Sequence, residues 1–140
     1  MSRKSWNDYF MEMAHLVATR ATCDRAHVGC IIVRDRLVLA TGYNGSLPGE
    51  LHCDDAGHLM IEGHCCRTNH AEANAISHAA KNGISLNNSV AYVTHAPCYT
   101  CYKLLRSAGI NKIYYDIAYR DPDVSLYGSW VEKLWIKVSL

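Results

Sequence analysis

An excess of charge of either sign is missing from this sequence. Its 140 residues carry 14 Lys and Arg against 13 Asp and Glu, a formal net charge of +1. A chain built to grip nucleic acid usually shows a basic excess or stripe, so no nucleic-acid partner is expected. A small anionic substrate held by a few Arg or Lys fits better. No apolar run approaches the roughly 18 residues of a membrane span, and no membrane association is expected. The N-terminus reads as an amphipathic helix and not as an apolar leader, so no secretory signal is expected and a cytoplasmic location is. Repeats and low-complexity tracts are missing too. The seven cysteines are an odd number, which argues for thiols kept reduced as metal ligands and against a disulfide framework. What remains is hydrophobic content of 49%, ample for one core and one domain over residues 1–140.

Local patterns place the elements. Trp6, Tyr9, Phe10, Met13 and Val17 recur at helical spacing, with Ser5 as N-cap, and the helix is expected to end near Thr22. Val28 to Val33 reads as a buried strand, and Arg34-Asp35-Arg36 as the turn of a hairpin into Leu37 to Thr41. Gly42 to Thr68 reads as a long irregular loop, which inside a compact domain points to function or metal. Ala71 to Asn82 is helical and Gly83 ends it. Val90 to Thr94, Cys98 to Ala108 and Ile113 to Asp116 form a strand, helix and strand with short links, so the two strands are expected to run parallel. Asp123 to Lys133 reads as a last helix before a strand at Leu134 to Val138. The fold class is α/β, a three-layer α/β/α sandwich around a mixed sheet of about five strands.

The chemistry concentrates in two short segments, His70-Ala71-Glu72 and Pro97-Cys98-Tyr99-Thr100-Cys101. Zinc accepts imidazole nitrogen and thiolate sulfur, and a catalytic site uses three protein ligands and keeps the fourth position open. His70, Cys98 and Cys101 make such a set. Glu72 lies two residues past the ligand, able to reach a water without binding the metal. A redox C-x-x-C does not explain the H-A-E, and a closed structural site would need a fourth ligand that Glu72 supplies poorly beside thiolates. Each segment starts a helix, where backbone N–H groups favour the thiolate. Pro97 suits that entry, having no N–H to leave unsatisfied. The pattern is hydrolytic.

H-x-E…P-C-x-x-C is the zinc deaminase signature. Thr22-Cys23, Val28-Gly29, Thr41-Gly42-Tyr43-Asn44-Gly45, His52-Cys53, His64-Cys65-x-Arg67-Thr68-x-His70-Ala71-Glu72 and Tyr92-Val93-Thr94-x-x-Pro97-Cys98 together resemble the deoxycytidylate (dCMP) deaminases. The resemblance runs from about Ser5 to about Tyr119 and belongs to the cytidine deaminase-like superfamily. It implies conversion of dCMP to dUMP and ammonia, supplying the dTTP pathway, in a homohexamer activated by dCTP and inhibited by dTTP, with a possible extra activity on dCTP. Glu72 would then be the proton shuttle. Asn44 resembles the ligand of the sugar 3′-hydroxyl, Arg25 would take the 5′-phosphate, and Tyr119 would close over the nucleotide. Val28 and Gly29 would give a small backbone floor under the base, and Ala71 would be a further substrate-binding residue. Tyr43, Asn44, Gly45 and Arg67 would line an allosteric nucleotide pocket, with Mg²⁺ accompanying the effector.

The resemblance also implies a second, structural zinc. Cys23, Cys53, His58 and Cys65 are the best four ligands by spacing; His64 can replace His58, and Cys66 can replace Cys65. Position 58 is His where the family more often shows Cys. Two rivals stand beside this reading. An enzyme acting on free cytidine or on tRNA adenine is disfavoured by the long insert and by the even charge respectively. A zinc-stabilised binding module without turnover is disfavoured by the intact Glu72.

Overall fold

The computed structural model describes residues 2–23, 26–61, 64–118 and 124–135, with the side chains of residues 64, 65 and 124 outside that description. Helix α1 (Trp6–Ala18) starts where the Ser5 hydroxyl accepts the Asp8 N–H at 3.1 Å. It buries Phe10, Met11, Ala14 and Ala18. It stops four residues before the expected Thr22, with Thr19 as its C-cap. Strands β1 (Gly29–Arg34) and β2 (Leu37–Tyr43) form the expected hairpin. Asp35 and Arg36 both take positive φ, 52° and 64°, which is the backbone of a tight hairpin turn.

The insert is less irregular than its composition suggested. It holds the ribbon pair β3 (Gly45–Ser46) and β6 (Thr68–Asn69), the short helix α2 (Cys53–Ala56), and the pair β4 (Met60–Ile61) and β5 (His64–Cys65). Gly42 and Tyr43, read as loop, belong to β2, because they pair with Cys30 and Gly29. Helix α3 (Ala71–Lys81), strand β7 (Ser89–His95), helix α4 (Tyr99–Ser107) and strand β8 (Ile110–Ile117) follow, and β7 and β8 are parallel as expected. The expected helix over 123–133 is instead a 3₁₀ segment, Val124–Trp130, followed by β9 (Val131–Lys133). Gly128 at φ 59° and ψ −148° interrupts any helix there. This strand at 131–133 pairs parallel with β8; of the strand expected at 134–138, Leu134 and Trp135 are outside any strand and residues 136–138 lie outside the described residues.

The main sheet runs β2-β1-β7-β8-β9, antiparallel over its first three strands and parallel over the rest. Alternation along β1 sends Ile31 and Val33 to α1, Phe10 and Tyr92, and sends Cys30 and Ile32 to Ala71, Ala75 and Leu105 on the other face. With both faces covered, β1 reads as a continuous apolar run. This is the three-layer mixed sandwich that the sequence implied.

Two glycines set the layer spacing. A Cβ on Gly29 would lie 2.0 Å from the Ala14 carbonyl oxygen of α1, and one on Gly42 would lie 2.3 Å from the Ala71 oxygen of α3. Both obstacles are backbone, so no side chain can rotate away. Gly42→Ala is therefore expected to cost about 1–3 kcal/mol by overpacking and to displace the start of α3, which carries His70 and Glu72. Thermal melting alongside zinc content checks this: a variant with native stability and native metal retention contradicts the close approach.

Candidate active site

The βαβ unit brings the end of β7 into the start of α4, at the edge of the sheet where α3 also begins. His70 is the N-cap of α3 and Cys98 the N-cap of α4. The Cys98 sulfur accepts the Cys101 N–H at 3.5 Å, so the helix terminus itself holds the thiolate. His70 Nδ1 lies 3.7 Å from Cys98 Sγ and 3.3 Å from Cys101 Sγ. The three ligand atoms all lie within 4.8 Å of one another. Zinc bonded tetrahedrally, at about 2.3 Å to sulfur and 2.1 Å to nitrogen, needs ligand atoms roughly 3.6 Å apart. The triad fits.

Glu72 lies behind it, 4% exposed. Burial pushes its carboxyl above the ordinary range, partly opposed by its own backbone N–H and by the charge of His70. A hydrogen bond with Cys101 holds the Cys98 thiol down to about 4, helped by His70, and the same bond first of all pushes Cys101 up. The hydrogen bond with Cys98 also raises His70. A metal ion that takes both sulfurs as thiolates would displace the proton held there, so proton and metal compete for the sulfurs. Cys30, fully buried on β1, is pushed well up by burial and then by the charge of Glu72. It is a neutral thiol beside the carboxylate that the sequence reading did not single out.

The second cluster assembles as well. Cys23, Cys53 and His58 bring their ligand atoms within 4.8 Å of one another, with Cys23 Sγ 3.5 Å from His58 Nδ1. Both cysteines are buried and the histidine is exposed. Position 58 thus joins the group as His. The backbone of Cys65 pairs with Met60 in the β4–β5 ribbon; the side chains of Cys65 and of the alternate His64 lie outside the described residues. Cys66 is exposed.

Around the triad the expected substrate residues divide. Ala71 is buried and Val28 packs half-buried against the same core cluster. Gly29 does not share their side-chain face: a Cβ there would meet the backbone of α1, so the glycine is required by helix packing. Asn44 is buried and works as a brace. Its Oδ1 accepts the Val28 N–H at 2.8 Å and its Nδ2 donates to the Ala26 carbonyl at 2.7 Å, leaving one N–H and one lone pair for a ligand. Arg25 and Tyr119 lie outside the described residues. Of the expected effector residues, Tyr43 offers its carbonyl to Asn74 Nδ2 at 2.8 Å, Gly45 is buried in β3, and Arg67 Nε donates to the Gly57 carbonyl at 3.0 Å, tying the insert together. Asn74 escaped the sequence reading, although it sits one helical turn after His70 on α3.

A mixed sheet between helical layers, with a His/Cys/Cys triad at two helix N-termini and a buried Glu behind it, defines a zinc deaminase domain of the cytidine deaminase-like fold. The chain belongs to the cytidine and deoxycytidylate deaminase family, whose zinc-binding region matches residues 4–117. It is 51% identical over 120 residues to ComE operon protein 2 of Bacillus subtilis, covering 86% of this chain and 64% of that protein. It is 38% identical over 125 residues to the deoxycytidylate deaminase of Schizosaccharomyces pombe, covering 84% and 38%. The chain thus spans less than two thirds of the length of these curated relatives. The dCMP deaminase of cyanophage S-TIM5, crystallised with dCMP and dUMP, is similar over 96% of this chain and 100% of its own, with 31% identity and a TM-score of 0.81. Among the described residues no helix is long and apolar enough to cross a membrane.

Proposed function

We propose that this chain is a single zinc-dependent domain that hydrolyses dCMP to dUMP and ammonia, supplying the dTTP pathway in the cytoplasm. The observation that carries the proposal is the convergence of His70, Cys98 and Cys101 within 4.8 Å next to a carboxylate that is 4% exposed. The full-length similarity to the S-TIM5 dCMP deaminase supports the choice of substrate. Zinc held by His70, Cys98 and Cys101 would supply a water whose pKa is lowered to about 7. Glu72, raised by burial, takes a proton from that water and passes it to the ring nitrogen beside the attacked carbon. It then takes the proton of the hydroxyl added to that carbon and delivers it to the departing amine as the carbonyl forms, so one carboxylate serves as base and then as acid. Asn44 offers its remaining donor to the sugar, Val28 and Ala71 bound the base, and Arg25 and Tyr119 hold phosphate and ring.

The same reading gives Cys23, Cys53 and His58, completed by Cys65, a structural zinc that ties the insert to the end of α1. It also gives a homohexamer in which dCTP, with Mg²⁺, activates and dTTP inhibits through Tyr43, Asn44, Gly45 and Arg67. Turn N–H groups and an Arg fork suit triphosphate oxygens. Deamination measured on dCMP, dCTP, deoxycytidine and cytidine, with and without dTTP and dCTP, tests the proposal. The expected result is preference for dCMP, with dTTP shifting its apparent affinity by about 5- to 150-fold, the range of a 1–3 kcal/mol coupling. Preference for an unphosphorylated nucleoside contradicts the substrate. A dCMP saturation curve and melting temperature both indifferent to millimolar dTTP contradict the regulation alone.

A further inference from the structure

We propose that Tyr127 is a positioning residue for the metal triad: its hydroxyl fixes the Pro97 carbonyl, and through that peptide the direction in which Cys98 presents its sulfur. This rests on the zinc reading above and adds a residue 26 positions beyond the C-x-x-C segment.

The helical hydrogen-bond ladder of α4 begins at Cys98, whose carbonyl accepts the Tyr102 N–H at 2.8 Å. The Pro97 carbonyl lies one peptide earlier, outside that ladder, on a fully buried residue. A buried carbonyl without a partner costs about 1–3 kcal/mol. Tyr127, 1% exposed, donates its hydroxyl to that carbonyl at 2.8 Å. The contact comes from the 3₁₀ segment, far along the chain. Burial pushes the Tyr127 hydroxyl up to about 12, with the charges of Cys98 and Cys101 adding to the shift. It therefore stays protonated, and a donor, through the neutral range.

The ring has little freedom to leave. It stacks on Tyr102 with centroids 4.3 Å apart and planes at 23°, and lies parallel to Tyr99 at 6.4 Å. Tyr102 is held in turn, since its hydroxyl accepts from Arg106 at 3.0 Å. The Arg106 guanidinium lies 3.3 Å from the ring centroid of Trp130, at the end of the same 3₁₀ segment. Three tyrosines, an arginine and a tryptophan thus form one connected cluster joining α4 to the 3₁₀ segment, and within it the Tyr127 hydroxyl reaches the residue before Cys98. Pro97 has a fixed φ, so its carbonyl orientation decides the plane of the peptide that leads into Cys98. The Cys98 N-cap geometry, φ −66° and ψ 166°, with its sulfur over the Cys101 N–H, follows from that plane. Partners that orient a metal ligand from outside its coordination shell are worth about 10- to 100-fold in metal affinity or activity.

Tyr127→Phe keeps the stacked ring and removes only the hydroxyl. Zinc per chain is measured across a chelator series for the wild type, Y127F, Tyr102→Phe and His70→Ala, with melting temperature and the kcat and KM for dCMP. The ion absent from His70→Ala marks the triad. Y127F is expected to release that ion at about 10- to 100-fold lower chelator concentration and to lose kcat more than it changes KM. Y102F should release it within about twofold of wild type, since its hydroxyl does not touch the metal turn. Installing p-aminophenylalanine at position 127, which restores an N–H donor, should recover retention. Equal release by Y127F and wild type, even with a lowered melting temperature, overturns the proposal and leaves the zinc reading intact. A wild type with no His70-dependent ion overturns both.

Discussion

Glu72→Gln is expected to keep its zinc and lose its turnover. The amide matches the carboxylate in shape, so the buried space behind the triad stays filled and the ligand atoms of His70, Cys98 and Cys101 keep their places. What changes is proton chemistry. A carboxylate held in a site only 4% exposed, raised by burial, accepts a proton at one stage and returns it at the next; an amide does neither. General acid–base catalysis is worth about 10²–10⁴-fold, and a group serving twice should lose at least that much. Metal content and rate taken on one preparation read both halves of the expectation. A variant that binds zinc and keeps near-native turnover removes Glu72 from the mechanism.

The second large effect separates the two clusters. Cys98→Ser and Cys101→Ser should each lose the triad's zinc, because a site with three protein ligands keeps too little affinity when one thiolate is gone. Activity should disappear with the metal, while the fold survives on its sheet and two apolar layers. Cys23→Ser and Cys53→Ser should act the other way, lowering stability first, because a closed four-ligand site contributes its binding energy to folding. Zinc stoichiometry against melting temperature distinguishes the classes. Two ions per wild-type chain, one lost in each class, is the expected pattern. One ion per wild-type chain removes the structural zinc while leaving the catalytic one.

The triad was legible because its signals are local. His70 and Glu72 are two residues apart, Cys98 and Cys101 three, and each pair stands at a helix start marked by its own neighbours. The helix α1 and the parallel β7–α4–β8 unit were legible for the same reason, since apolar spacing and short links decide them. Tertiary contacts decided the rest. The segment after 123 has helix-compatible stretches, yet Gly128 and pairing with β8 turn it into a 3₁₀ turn and a strand. The resemblance offers Gly29 as part of a base floor, but it carries no signal for the backbone of α1, whose close approach is what requires a glycine there. Asn44 was read for what it might bind, whereas two of its hydrogen bonds hold the segment from Ala26 to Val28 in place. Tyr127 carried no signal of its own: a tyrosine in an unremarkable segment gains meaning only once Pro97 lies 2.8 Å from its hydroxyl.

On the proposed function, these residues add water to the ring carbon of dCMP and expel its amine. The most direct measurement is incubation of zinc-loaded wild-type protein with dCMP in water enriched in ¹⁸O, with dUMP mass and ammonia followed together. One ¹⁸O atom is expected in the base of each dUMP, with one ammonia per dUMP and no product from Glu72→Gln beyond the background rate. Unchanged dCMP in the presence of bound zinc, or dUMP whose new carbonyl oxygen does not come from solvent, contradicts the proposed function.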